Sequence, residues 1–240
     1  MASEIEFLKY RQRGYGYHWD LNSMHIKKMN SFVKARYLKC IMLLEDKIGS
    51  FCGKKIIDLG CGDGVLTYEL SRRNAESYGV DISADAIGFA KQKHASLGST
   101  ASFYVESCIE THFNNSFFDA VVSSDVIEHL LEPIKLLKEI DRILKPGGVA
   151  IISTPIRLTE FPLDKMHQTE WFMDEFINLI KDIFCQAEFE YSHPVFWTEL
   201  IGYSYRSRLM VNFLSYFRNP FLQSEKWRYF SMQYAIVKKI

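Results

Sequence analysis

The chain has 240 residues, 48% of them hydrophobic, and its 29 basic and 29 acidic side chains give a formal net charge of zero. That length and composition suit one sizeable core, and the balanced charge excludes the basic footprint of a dedicated DNA binder and disfavours an RNA binder. Cys40, Cys52, Cys61, Cys108 and Cys185 are odd in number, far apart and form no CxxC, which sets aside a disulfide framework and a zinc ribbon and leads us to expect reduced thiols in a cytoplasmic protein.

The N-terminal stretch MASEIEFLKYRQRG lacks the apolar centre of a signal peptide, and no apolar run approaches the roughly 20 residues of a membrane span. Next comes Gly14-Tyr15-Gly16-Tyr17-His18-Trp19, dense in glycine and aromatic residues, and then a helical apolar period over residues 30–48. KKIIDLG at 54–60 reads as a strand, 65–73 as a helix and SYGVDIS at 77–83 as a second strand. Ser83 is placed to cap a helix from Ala84 to about His94. Strands are expected at 101–107 and 117–124, a helix from Pro133 to Leu144, a KPGG stop at 145–148 and a strand at 147–154. A helix from Trp171 to Phe184 precedes strands near 186–191 and 231–238. The last two strands are separated by an aromatic insertion, residues 193–228.

Strands alternating with helices of this length imply an α/β protein with a mostly parallel sheet covered on both faces. No repeat or linker divides the chain. We therefore expect one domain over 1–240, with N-terminal helices at 1–50, an alternating strand–helix core at 51–155 and a remaining half at 156–240 that includes the insertion.

Ligands of such sheets bind at the carboxyl ends of the strands, so the loop Asp58-Leu59-Gly60-Cys61-Gly62-Asp63-Gly64 is the first candidate. Its alternate glycines permit a tight turn and close backbone approach, and Asp81, about twenty residues on, is placed to accept ribose hydroxyls. A dinucleotide site uses Gly-x-Gly-x-x-Gly against a pyrophosphate. Here the spacing differs, and Asp58 and Asp63 would repel a pyrophosphate while suiting a cationic ligand.

IIDLGCGDGVL, VDIS, FFDAVVSSDVIEHL and LKPGGVAIISTP together resemble the ordered motifs of class I S-adenosylmethionine-dependent methyltransferases. The resemblance implies a Rossmann-like seven-stranded sheet in the order 3-2-1-4-5-7-6 with the last strand antiparallel. It implies S-adenosylmethionine as cofactor, with Asp58, Gly60, Cys61 and Gly62 along its methionine and ribose, Asp81 on the ribose hydroxyls and Ile82 against adenine. Ser124 and Asp125 would lie at the methionine end. Many relatives have an aspartate after strand three, where this chain has Glu106-Ser107-Cys108; Glu106 or Ser107 is expected to substitute.

Methyl transfer to oxygen calls for a base of near-neutral pKa, and histidine is the natural one. His129, in the same turn as Glu128 and Asp125, is the first candidate, with packing or simple acceptor contact as alternatives. His18, in a segment that commonly forms a lid in this family, is the second. Tyr15, Tyr17, His167 and Trp197 are candidate acceptor contacts. The insertion interleaves aromatics with Arg206, Arg208, Arg218, Lys226 and Arg228, which suits an acceptor cover, a phosphate grip, peripheral membrane contact or a dimer contact; core packing accounts equally for its aromatics.

The leading expectation is methylation of a small-molecule oxygen on a sugar, lipid-linked glycan or phenol, with no metal. The motifs resemble ubiquinone-biosynthesis and sugar- or polysaccharide-pathway enzymes. A rival is metal-dependent RNA 2′-O-methylation, because Asp125-x-x-Glu128-His129 plus His167 is similar to the metal motif of small-RNA methyltransferases. A non-catalytic cofactor-binding regulator is the third expectation. Monomer and homodimer both remain open.

Overall fold

The computed structural model describes residues 14–160, 162, 164–223 and 227–240; residues 1–13, the start of the expected lid, and Lys226 of the cap lie outside them. Short α1 (Tyr17–Leu21) precedes α2 (Ser31–Ile48), which begins where the Asn30 side chain accepts the Phe32 N–H at 3.0 Å. The core then alternates: β1 (Lys55–Leu59), α3 (Val65–Ser71), β2 (Glu76–Asp81), α4 (Ala84–Ser96), β3 (Ser102–Val105), β4 (Phe118–Ser124), α5 (Pro133–Ile143) and β5 (Leu144–Pro155). It closes with α6 (Met173–Lys181), β6 (Ala187–Pro194), α7 (Val195–Tyr203), α8 (Tyr205–Ser215) and β7 (Phe230–Lys238). Ser83 caps α4, accepting the Ala86 N–H at 3.2 Å, and Pro133 opens α5, as their positions imply.

The seven strands run β3-β2-β1-β4-β5-β7-β6, parallel except for β7, which is antiparallel to both neighbours. This is the expected Rossmann-like topology. Successive side chains of a strand point to opposite faces, so Ile56 joins Cys40, Leu44 and Ile151 beneath α2, while Ile57 joins Ile140, Phe176 and Ile152 beneath α5 and α6. Both faces are therefore dry. KPGG ends α5 as expected but is held within β5: Phe118 pairs with Leu144 and Ala120 with Val149, so the loop bulges out of the ladder without ending it.

β6 ends at Pro194, opposite Phe230 at the start of β7, and Met232 pairs with Pro155 at the end of β5. The cap that joins β6 to β7 thus leaves from the carboxyl edge of the parallel strands, the edge that carries the glycine loop.

Candidate active site

Two loops meet at the carboxyl edge. In the first, Gly60 adopts φ +77°, and a Cβ there would stand 2.3 Å from Cγ2 of Val126, so only glycine allows the turn after β4 to press against the loop after β1. Asp81, ending β2, accepts the Gly62 N–H at 2.9 Å and the Ser83 N–H at 2.8 Å. Asp58 is buried and accepts the Thr67 hydroxyl at 2.8 Å. Burial, with Asp81 and Asp63 nearby, pushes the Asp58 carboxyl up to about 7 despite the Thr67 bond. Burial likewise raises Asp81. Three carboxylates thus converge on one loop, an arrangement that favours a cation.

Helix α1 lies over this loop. The His18 N–H donates to Asp63 Oδ2 and the His18 ring Nδ1 stands 3.2 Å from Asp63 Oδ1, while the Trp19 indole N–H donates to the Asp63 carbonyl at 2.8 Å.

The second loop begins at Asp125, whose φ of +55° turns the chain sharply out of β4. Arg36 of α2 pairs with its carboxylate, and Ser153 Oγ lies 3.0 Å from Ser124 Oγ and 3.3 Å from Asp125 Oδ1. Burial works against the Arg36 charge, but Asp125 and Tyr37 more than offset it and hold the guanidinium protonated. A 3-10 turn then carries Glu128 and His129. Glu128 is fully buried; its Oε2 accepts the Thr154 hydroxyl at 3.1 Å and its Oε1 has no hydrogen-bond partner. Burial and then the charge of Asp125 hold this carboxyl well above the usual carboxylate range.

His129 Nδ1 lies 3.0 Å from the Met166 carbonyl, which can only accept, so the proton sits on Nδ1 and Nε2 is the basic nitrogen. The His167 ring stands 4.9 Å from that of His129, centroid to centroid, with its Nδ1 against Glu170. Glu128, His129 and His167 each offer a ligand atom, all within 4.8 Å of one another.

The methyltransferase-domain family matches residues 51–210. The chain is a class I S-adenosylmethionine-dependent methyltransferase domain. Among curated proteins, the methyltransferase is 33% identical over 113 residues to the ubiquinone biosynthesis O-methyltransferase of Aeromonas salmonicida, covering 46% of this chain and 47% of that protein. It is 32% identical over 138 residues to the one from Aliivibrio fischeri, covering 57% of this chain and 56% of that protein. The chain thus spans about half the length of these relatives. Phosphoethanolamine N-methyltransferase 2 of Haemonchus contortus, solved with S-adenosyl-L-methionine, shares the fold at TM-score 0.71 and 18% identity, over 99% of this chain and 60% of that one.

In the methyltransferase, the sequence-predicted residues divide into groups. Gly60 and Gly62 lie on the loop after β1 and Asp125 on the turn after β4, with Asp58, Ser124 and Asp81 in the carboxyl-terminal ends of β1, β4 and β2 beside them. Cys61 is on the glycine loop, but its side chain is buried with Ile87, Ala90 and Phe103, and burial raises its thiol pKa well above the ordinary value. Ile82 stands 63% exposed beside Asp81, leaving an apolar surface open to a flat ligand. The Glu106 carboxylate is taken up by His112, accepting its backbone N–H at 3.1 Å, whereas Ser107 follows it at the strand end. His129 and His167 come together, and His18 lies over Asp63. Tyr15 donates to Asp85 of α4 at 2.7 Å, and the Tyr17 ring lies 3.9 Å from that of His18. Trp197 packs against the buried cluster of Ala35, Val211 and Phe221. Sequence reasoning missed Arg36, which nothing in the pattern sets apart from Lys34 and Lys39 of the same helix, and Ser153 and Thr154, hidden in an apolar strand.

Proposed function

We propose that this methyltransferase transfers the methyl of S-adenosylmethionine to a hydroxyl oxygen of a small-molecule acceptor, with His129 taking the proton. The observation that carries the reading is the His129–Met166 contact, which fixes the tautomer and leaves Nε2 basic on a turn that abuts the glycine loop. The O-methyltransferase names of the partial relatives support oxygen as the acceptor atom.

The sulfonium and amino groups of the cofactor would sit among Asp58, Asp63 and Asp81. Asp81 retains lone pairs for ribose hydroxyls beyond its two backbone bonds. Ile82 would cover adenine, and Arg36, whose buried Nε has no hydrogen-bond partner, suits a carboxylate such as that of methionine. Transfer is an in-line displacement: the acceptor oxygen bonds to the methyl carbon, the carbon–sulfur bond breaks toward S-adenosylhomocysteine, and the acceptor proton passes to His129. Positioning supplies most of the acceleration.

The clustering of Glu128, His129 and His167 favours a second reading, in which these residues hold a divalent cation that acidifies the acceptor hydroxyl. The donor set fits, because a cation would neutralise a fully buried carboxylate whose Oε1 is unbonded.

The test is formation of S-adenosylhomocysteine over a panel of catechols, glycosides and short RNAs, with and without chelator, for wild type and His129→Ala. The base reading expects chelator-insensitive turnover that falls about a hundredfold in the variant. Loss on chelation, restored by Mg²⁺ or Mn²⁺, establishes the cation instead. Tight cofactor binding with no transfer to any acceptor would make the chain a binding protein.

A further inference from the structure

The cap holds a helix whose apolar stripe faces outward. Residues 206, 210, 213 and 217 recur at helical spacing, aligning Arg206, Met210, Phe213 and Phe217 along α8 and the turn that follows it. All four are exposed, Met210 by 47%, Phe213 by 53% and Phe217 by 78%. The opposite side is anchored: Val211 packs with Ala35 and Phe221, and the buried Asn212 amide donates to the Met29 carbonyl at 2.7 Å while accepting the Ser31 N–H at 3.0 Å. A surface helix ordinarily buries its apolar stripe and shows its polar one. Here a polar side chain fixes the inner face and the rings are left outside.

Charge decides what covers them. From Leu200 to Ser224 the sequence has no carboxylate, whereas Arg206, Arg208 and Arg218 fall within it, in a chain that is neutral as a whole. Phe and Met beside arginines with no acidic residue match an anionic bilayer, where rings enter the acyl boundary and guanidinium groups meet lipid phosphates. A membrane contact here is peripheral, since no helix of the described residues is long and apolar enough to cross a membrane.

We propose that the line Arg206, Met210, Phe213 and Phe217 docks the protein on an anionic membrane surface. Because the cap leaves the sheet at its carboxyl edge, docking sets the edge with the glycine loop and the His129 turn on the membrane side. An acceptor held in lipid would then reach the site without leaving the bilayer, a consequence that rests on the function proposed above; docking itself does not.

The test is co-sedimentation of the full chain with phosphatidylcholine vesicles, with and without about one-third phosphatidylglycerol. Wild type is expected to sediment only with the anionic vesicles. Phe213→Ser/Phe217→Ser is expected to weaken that binding at least about tenfold, and Arg206→Gln/Arg218→Gln to weaken it and flatten its salt dependence. Unchanged calorimetric binding of S-adenosylmethionine verifies that both variants are folded. The proposal is overturned if wild type stays in the supernatant, if the phenylalanine variant binds as well as wild type, or if wild type is a dimer that this variant makes monomeric. Cofactor binding failing in wild type would sink the proposed function and leave the vesicle result standing.

Discussion

Arg36 of α2 pairs with Asp125, the left-handed residue through which β4 passes into the turn carrying Glu128 and His129. Side-chain exposures of 14% and 13% make this pair nearly dry, and the buried Glu128 carboxyl lies within its field. Arg36→Met keeps the volume of the side chain but leaves two neighbouring acidic groups without their cation. Removing one partner of a buried pair costs about 3–5 kcal/mol, so the urea midpoint of this variant should fall steeply. Arg36→Met/Asp125→Asn should recover much of that loss, since Asn tolerates the left-handed backbone. Equal midpoints for the single variant and wild type would show that the pair contributes nothing.

The acidic loop predicts opposite effects on stability and binding. Asp58 has a folded pKa of about 7, far above its unfolded value of about 3.9, so the folded state holds the proton more tightly. Its favourable contribution is complete below the unfolded value and is lost as pH rises through 7; above that, the ionised group costs about 4 kcal/mol. Asp58→Asn should therefore raise the urea midpoint of the cofactor-free protein at pH 8 and change it little at pH 4. If the cofactor cation sits where the proposed function places it, the same substitution removes a charge facing it, and calorimetry should show at least about tenfold weaker binding. A variant both less stable at pH 8 and unchanged in affinity would refute the argument.

The core was readable because its signals are local. Ile56 and Ile57 declare the two faces of β1, Ser83 and Pro133 declare helix starts, and Gly60 and Asp81 sit at fixed places relative to strands. What escaped notice depends on contacts remote in sequence. Arg36 acquires its place only when α2 crosses the end of β4, 89 positions away. Glu106 looked ready for a ligand until His112 turned back onto it. The aromatics of the cap could not be sorted from sequence, because Phe221 is fully buried while Phe217, four residues earlier, is 78% exposed; the helix's orientation is set by Asn212, a polar residue whose partners lie just before α2 and at its first residue.

His193 supplies a pH dependence of stability. It links β6 to the cap with φ +61°, is fully buried, and its Nε2 donates to the Phe32 carbonyl at 2.8 Å. Burial, reinforced by Arg36 and Lys39, lowers its pKa to about 3. The unfolded chain, with a value of about 6.5, takes up the proton first; stability is complete above 6.5 and falls as pH drops toward 3, with a limiting slope of about 1.4 kcal/mol per pH unit. His193→Asn, which accepts the same backbone, should be less stable than wild type at pH 7.5 yet lose stability more gradually between pH 6.5 and 4. Urea titrations at several pH values measure the slope, and parallel curves for the two proteins would remove His193 as its source.

Trp19 tests whether α1 is a lid. Its ring packs 5.3 Å from Tyr68, with Lys93 over its face, and its N–H is bonded to the carbonyl of Asp63 in the glycine loop. Trp19→Phe keeps much of the packing and removes the bond, at a cost of about 0.5–1.5 kcal/mol. Because α1 is only Tyr17–Leu21, the loss should appear locally, as faster hydrogen exchange of its amides, while the global urea midpoint barely moves. If the segment closes over bound cofactor, dissociation should quicken by about three- to tenfold, with association little changed. Faster exchange with unchanged cofactor dissociation would mean that α1 packs on the loop without gating it.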